Sequence, residues 1–149
     1  MARTAKRPRL INPQRFRASS LWQLAAGGSS TPESVAAVEK GLPISAIAEL
    51  RHVLREEEVD RLVIPRRTLA HRRLRREPLS IEESDRALRL ARVTTLAVAT
   101  LGDEHKAMAW LRHEHRLLGG RKPLDLSRTE AGVRLIENVL ARIAWGAAL

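Results

Sequence analysis

From Thr31 onward, apolar residues recur every three or four positions, and short breaks rich in Gly, Pro and charge separate the runs. That period belongs to amphipathic helices, and the breaks carry helix start and stop signals. Thr31-Pro32 supplies an N-cap with proline at the first helical position, and Gly41 supplies a stop. A second helix is expected from Ser45 to about Leu54, with Ile47, Leu50, Val53 and Leu54 on one face. A third should run from Glu56 to Leu62, its acidic start matching the helix dipole. Ile64-Pro65 breaks the chain, and a fourth helix follows until Pro78 ends it.

Ser80 with Glu83 forms a capping-box pattern and opens a long helix to Leu101, with Gly102 as its stop. Its apolar face includes Ile81, Leu88, Ala91 and Val98, and its second half is apolar nearly all round. Such a helix must lie centrally or be shared with a second copy, so these four residues are the candidate dimer contacts. Asp103 caps the next helix, which carries Ala107, Trp110, Leu111 and Leu117, with Trp110 expected as a core anchor. A turn-rich connector, Leu117 to Glu130, closes in a second capping box, Ser127 with Glu130. The last helix places Val133, Ile136, Leu140 and Ile143 on one face and ends at Gly146. No strand pattern or internal repeat interrupts this order, so the expected fold is all-α.

Composition narrows the picture. Hydrophobic residues make up 44% but aromatics only 3%, with no Tyr, so Leu, Ala, Val and Ile must fill the core. With no cysteine, disulfides, thiolate metal sites and cysteine nucleophiles are excluded. No stretch approaches the ~18 apolar residues of a membrane span, and the expected location is the cytoplasm. The net charge of +10 is uneven. Residues 1–30 hold Arg3, Lys6, Arg7, Arg9, Arg15 and Arg17 and no acid, which suggests a disordered basic arm able to add phosphate contacts.

The other concentration of charge is "VIPRRTLAHRRLRREP", Val63 to Pro78. Three short helices ending in a basic one suggest a helix-turn-helix, whose last helix enters the DNA major groove. At about 100° per residue, Leu69, Ala70 and Leu74 are expected to form the apolar seat, with Arg67, Thr68, His71, Arg72 and Arg75 outward. Arg66 reaches for backbone phosphate from the first turn, and Arg73 lays its stem over the core edge.

Other candidate chemistry is weak. His113 and His115 point about 200° apart on a helix and cannot share one ion. There is no His-Glu-x-x-His, and "LGG" at 118–120 lacks the rest of a phosphate loop. No nucleophile–base pair is visible, so neither an enzyme nor a bound metal or cofactor is expected.

Three blocks together resemble the Xre/MbcA/ParS-like antitoxins that accompany RES-domain toxins. They are "IPRRTLAHRR", "PLSIEESDRALRLARV" and "WLRHEHRLLGGRKPLDLSRTEAGVRLIENVLARIAWG", and they cover most of residues 41–149. The last block carries Trp-Leu, Leu-Gly-Gly, Pro-Leu-Asp-Leu and Thr-Glu-x-Gly in order. Three departures stand out: Val63 where a turn glycine is common, "RHEHRLL" after Trp-Leu, and Ala144-Trp145 before the terminal Gly. The resemblance implies a bacterial, dimeric, non-enzymatic antitoxin that represses its own operon and blocks an NAD-degrading toxin. On this chain the blocking segment would be Trp145, Gly146, Ala147, Ala148 and Leu149, with Arg142 beside it. The implied division is 1–30 arm, 31–78 helix-turn-helix, 79–102 central dimerisation helix and 103–149 toxin-binding domain. A stand-alone helix-turn-helix regulator with a C-terminal oligomerisation domain is the alternative.

Overall fold

The computed structural model describes residues 20–27 and 31–146. Nine α-helices and a 3-10 turn make up these residues, with no strand among them. They are α1 (Ser20–Ala26), α2 (Pro32–Lys40), α3 (Ser45–Arg51), α4 (Glu56–Leu62), α5 (Arg66–Arg75), α6 (Ile81–Leu101), α7 (Glu104–Arg112), α8 (Pro123–Leu126) and α9 (Glu130–Ala144). The 3-10 turn, Arg116–Leu118, lies between α7 and α8.

Capping chemistry accounts for most of the boundaries. Thr31 accepts from the Ser34 N–H and receives a hydrogen bond from Ser34 Oγ at its carbonyl. Ser80 and Glu83 cap α6 reciprocally, at 3.1 and 2.8 Å. Asp103 caps α7 through the Lys106 N–H at 2.8 Å. The start of α9 departs from expectation. Its N-cap is Thr129, which accepts from the Gly132 N–H, whereas the Ser127 hydroxyl turns inward and donates to the Leu124 carbonyl at 2.6 Å. The basic helix also stops early, at Arg75, because Arg76 takes the left-handed conformation.

α6 is the axis of the fold and packs against α1, α2, α3, α7 and α9. Ala87, Leu90, Ala91, Val93 and Ala97 are fully buried along it, in one core that joins both halves of the chain. Two expectations are corrected here. Leu88 and Ala91 are buried within the protomer, so the intramolecular core already occupies these two presumed dimer contacts. Ile81, 53% exposed, and half-buried Val98 remain accessible. Residues 20–26, counted with the basic arm from sequence, form α1, which buries Leu21, Trp22 and Ala25 against α6. Their spacing is helical, but a seven-residue helix followed in sequence by Gly and Ser has too little pattern to separate it from a linker. The basic residues of the arm, Arg3 to Arg17, lie outside the described residues.

Two ties pin the linker before α6. The Leu42 N–H donates to buried Ser84 Oγ at 2.8 Å, and the Leu79 N–H donates to the Leu42 carbonyl at 2.9 Å. Gly41 allows this approach: its φ is +88°, and a Cβ there would meet the Leu79 carbonyl at 2.5 Å.

Candidate functional site

The corner between α4 and α5 needs no glycine. Val63 is buried with φ −118° and ψ −64°, a negative φ that does not call for glycine. Its carbonyl accepts from Arg86 Nε at 2.9 Å, so α6 fixes the turn from below.

Leu69, 2% exposed, is the one buried residue that seats α5 on the core. Arg72 leaves the outward face: it lies along α6, with Nε 2.7 Å from the buried Glu83 and Nη1 3.4 Å from Glu77. Thr68 is half-buried beside it. The expected seat of Leu69, Ala70 and Leu74 is therefore corrected, since Ala70 is exposed and Leu74 is 86% exposed. The reason is geometric: with Leu69 at 0°, Leu74 falls at about 140°, and the Arg72–Glu83 pair turns that side away from the core.

Arg67, Ala70, His71 and Leu74 form the outer stripe of α5, flanked by exposed Arg66, Arg73 and Arg75. Arg66 pairs with Glu56 at 2.5 Å, and that hydrogen bond holds the Glu56 carboxyl below its usual range. Arg75 sits 3.8 Å from Glu77. Arg67 makes no ion pair among the described residues and presents an unneutralised guanidinium.

A second face lies on α9. Val133, Ile136, Val139 and Leu140 are buried on one side. Ala131, Leu135, Asn138, Arg142 and Trp145 share an exposed stripe on the other. Trp145 caps the helix C-terminus at 89% exposure, and Gly146 follows with φ +68°. Ala147, Ala148 and Leu149 lie outside the described residues. Trp110 is half-buried against the core and stacks on His115 at 4.7 Å. His115 Nε2 in turn lies 2.8 Å from the Trp110 carbonyl, which leaves that imidazole nitrogen as the donor.

Ion pairs that the sequence does not announce bind the two faces into one body. Glu58 of α4 takes Arg112 of α7 through both oxygens, at 2.6 and 2.9 Å. Arg61 reaches Asp125 of α8 at 2.5 Å. Arg89 and Arg92 of α6 hold the start and middle of α9 through Glu130 and Glu137. The pairing is long-range, 54 residues for Glu58–Arg112, so no helical spacing marks it. A polar cleft of about 470 Å³ opens beside these ties, and its two carboxylates, Glu58 and Asp125, are already held by arginine.

Burial pushes the Glu58 carboxyl up, but the Arg112 hydrogen bond, the Arg55 backbone N–H and the two guanidinium charges outweigh it, so the group titrates below its ordinary value. A carboxylate depressed in the fold stabilises it above the unfolded value, and that stability is lost as pH falls through the folded one. The wild type should therefore lose stability below about pH 4.5 more steeply than Glu58→Gln. At neutral pH, Arg112→Ala should cost about 2 kcal/mol. Urea melts across pH 3–7 measure both.

Residues 33–92 match the family described as the antitoxin Xre-like helix-turn-helix domain. Residues 96–146 match the antitoxin Xre/MbcA/ParS C-terminal toxin-binding domain. The chain is 38% identical over 96 residues to an "Antitoxin Xre" of Pseudomonas putida, covering 64% of this chain and 60% of that protein. It is 36% identical over 84 residues to an "Antitoxin Xre" of Yersinia enterocolitica, covering 56% and 57%. It is 26% identical over 131 residues to a "Prs ADP-ribosylating antitoxin" of Sphingobium sp., covering 80% and 82%. The chain thus spans under two thirds of the length of the first two relatives. The helix-turn-helix match ends within α6 and the C-terminal match begins there, so the shared core helix joins the two domains.

Proposed function

We propose that this chain, which carries an Xre-like helix-turn-helix domain followed by an Xre/MbcA/ParS C-terminal toxin-binding domain, is an antitoxin with two working faces. α5 binds operator DNA and represses the chain's own operon. The end of α9, from Arg142 through Leu149, binds a RES-domain toxin that degrades NAD and blocks its active site. No catalytic step belongs to this chain. Operator binding by a homodimer is part of the reading, with Ile81 and Val98 the accessible contacts on α6.

The observation that carries the reading is Trp145. A tryptophan 89% exposed at the end of an otherwise well-packed helix, in a domain matched as toxin-binding, has the size and placement of an interface anchor. The name of the Sphingobium relative favours a second reading, in which the neutralised partner is an ADP-ribosylating toxin.

Co-expression with the product of the adjacent gene tests the pairing. The toxin should copurify with the chain, and released toxin should lower NAD without ADP-ribosylated protein appearing. ADP-ribosylated protein would favour the second reading. Promoter binding without any copurifying product would support a stand-alone regulator. On the DNA face, Arg67→Ala should weaken binding to all sequences and lower the salt slope by about one. Fluorescence anisotropy in a salt series measures it.

A further inference from the structure

We infer that Leu74 and Ala70 read thymine C5-methyl groups in the operator, so that this chain selects its DNA partly by apolar contact. The inference rests on the proposed entry of α5 into the major groove and names what that face recognises there.

The outer stripe of α5 is Arg67, Ala70, His71 and Leu74, at i, i+3, i+4 and i+7. That is the spacing by which homeodomain recognition helices present side chains to base edges. Two of the four positions are apolar, in a helix whose other exposed residues are four arginines and a histidine. Leu74 does not serve the protomer's own core: it is 86% exposed, and Leu69 alone fills the seat. The rotation of the helix is also fixed, because Leu69 holds it below and Arg72 is tied to Glu83 at the side. Leu74 is thus held outward by construction.

Charge selects the occupant. An apolar protein surface over Leu74 would have to desolvate Arg67, Arg73 and Arg75 around it, a cost without return. A major groove matches both kinds of group, with phosphates for the guanidinium groups and the thymine methyl for the apolar side chains. Ala70 and Leu74 are four residues apart, about 6 Å along the helix axis. With a helix lying along the groove, that separation corresponds to about two base-pair steps.

The test uses the full chain and a duplex of its own promoter, with single thymines replaced by uracil, which lacks only the methyl. In the wild type, replacement at either of two positions about two base pairs apart should weaken binding about fourfold, the worth of one buried methyl group. Leu74→Ala should erase the effect at one of them and preserve it at the other. Its thermal midpoint should match the wild type, since the side chain is exposed in the protomer. Uracil sensitivity that is absent, or equal in wild type and Leu74→Ala, overturns the inference while leaving DNA binding by α5 intact. A Leu74→Ala chain that changes mass in solution, with unchanged uracil response, overturns it in favour of a contact between copies. Failure of the wild type to bind promoter DNA at all overturns the reading of α5 itself, and this inference with it.

Discussion

Deleting residues 145–149 is expected to abolish protection against the partner toxin while leaving the fold and DNA binding in place. Trp145 is 89% exposed and follows α9, so its removal strips no core contact from the described residues. The helix itself is held from within by Val133, Ile136 and Leu140 and from the side by Arg92–Glu137. The single substitution Trp145→Ala should already cost about 2–4 kcal/mol of binding, roughly 30- to 1000-fold, as central aromatic anchors do. Calorimetric or surface-plasmon affinity measures that loss, and urea melts should show stability within about 0.5 kcal/mol of the wild type. Equal toxin affinity in the wild type and both variants would place the interface elsewhere on the chain.

The largest stability effect is expected at Gly132. An ideal Cβ on this residue would lie 1.8 Å from the Leu126 carbonyl oxygen and 2.7 Å from its carbon. Both are backbone atoms at the end of α8, so no side-chain rotation can relieve the contact. The first turn of α9 must lift away from α8, and the burial of Val133, Ile136 and Leu140 is compromised with it. Gly132→Ala should cost more than about 3 kcal/mol and Gly132→Val more still, a large part of the 5–15 kcal/mol that a domain possesses. Gly119→Ala is the control. Gly119 has φ +65° and nothing within 4 Å of its added Cβ, so only the backbone penalty of about 1–2 kcal/mol applies. Similar urea midpoints for Gly132→Ala and Gly119→Ala would show that the α8–α9 approach is looser than described.

Gly132 also shows what the sequence could and could not reveal. Its Thr-Glu-x-Gly element is legible as a pattern, but the carbonyl that demands a glycine belongs to Leu126, and only the folded packing brings it there. Locally encoded features were legible. The caps at Thr31, Ser80 and Asp103 and the stop at Gly102 lie where side-chain chemistry places them. The capping box at Ser127 was misplaced because Thr129 competes for the same role two residues later. The wheel of α5 failed for a similar reason. Leu74 groups with Leu69 by hydrophobicity but lies about 140° from it on the wheel, and the Arg72–Glu83 pair, eleven residues apart, holds the rotation that leaves Leu74 outside. Arginines assigned to DNA from their angular positions thus divide by partner: Arg72 serves α6, Arg66 is shared with Glu56, and Arg67 remains unpaired among the described residues. The α4–α7 and α4–α8 ties were illegible altogether, since oppositely charged residues 54 and 64 apart carry no spacing signal.

The central claim is that one small helical body neutralises a toxin at the end of α9 while its α5 face holds DNA. Its most direct test is the NAD level of cells expressing the adjacent gene's product. With the full chain co-expressed, NAD should stay at the level of cells without toxin, and without the chain it should collapse. NAD that collapses equally in both, with the chain present and folded, would contradict the account.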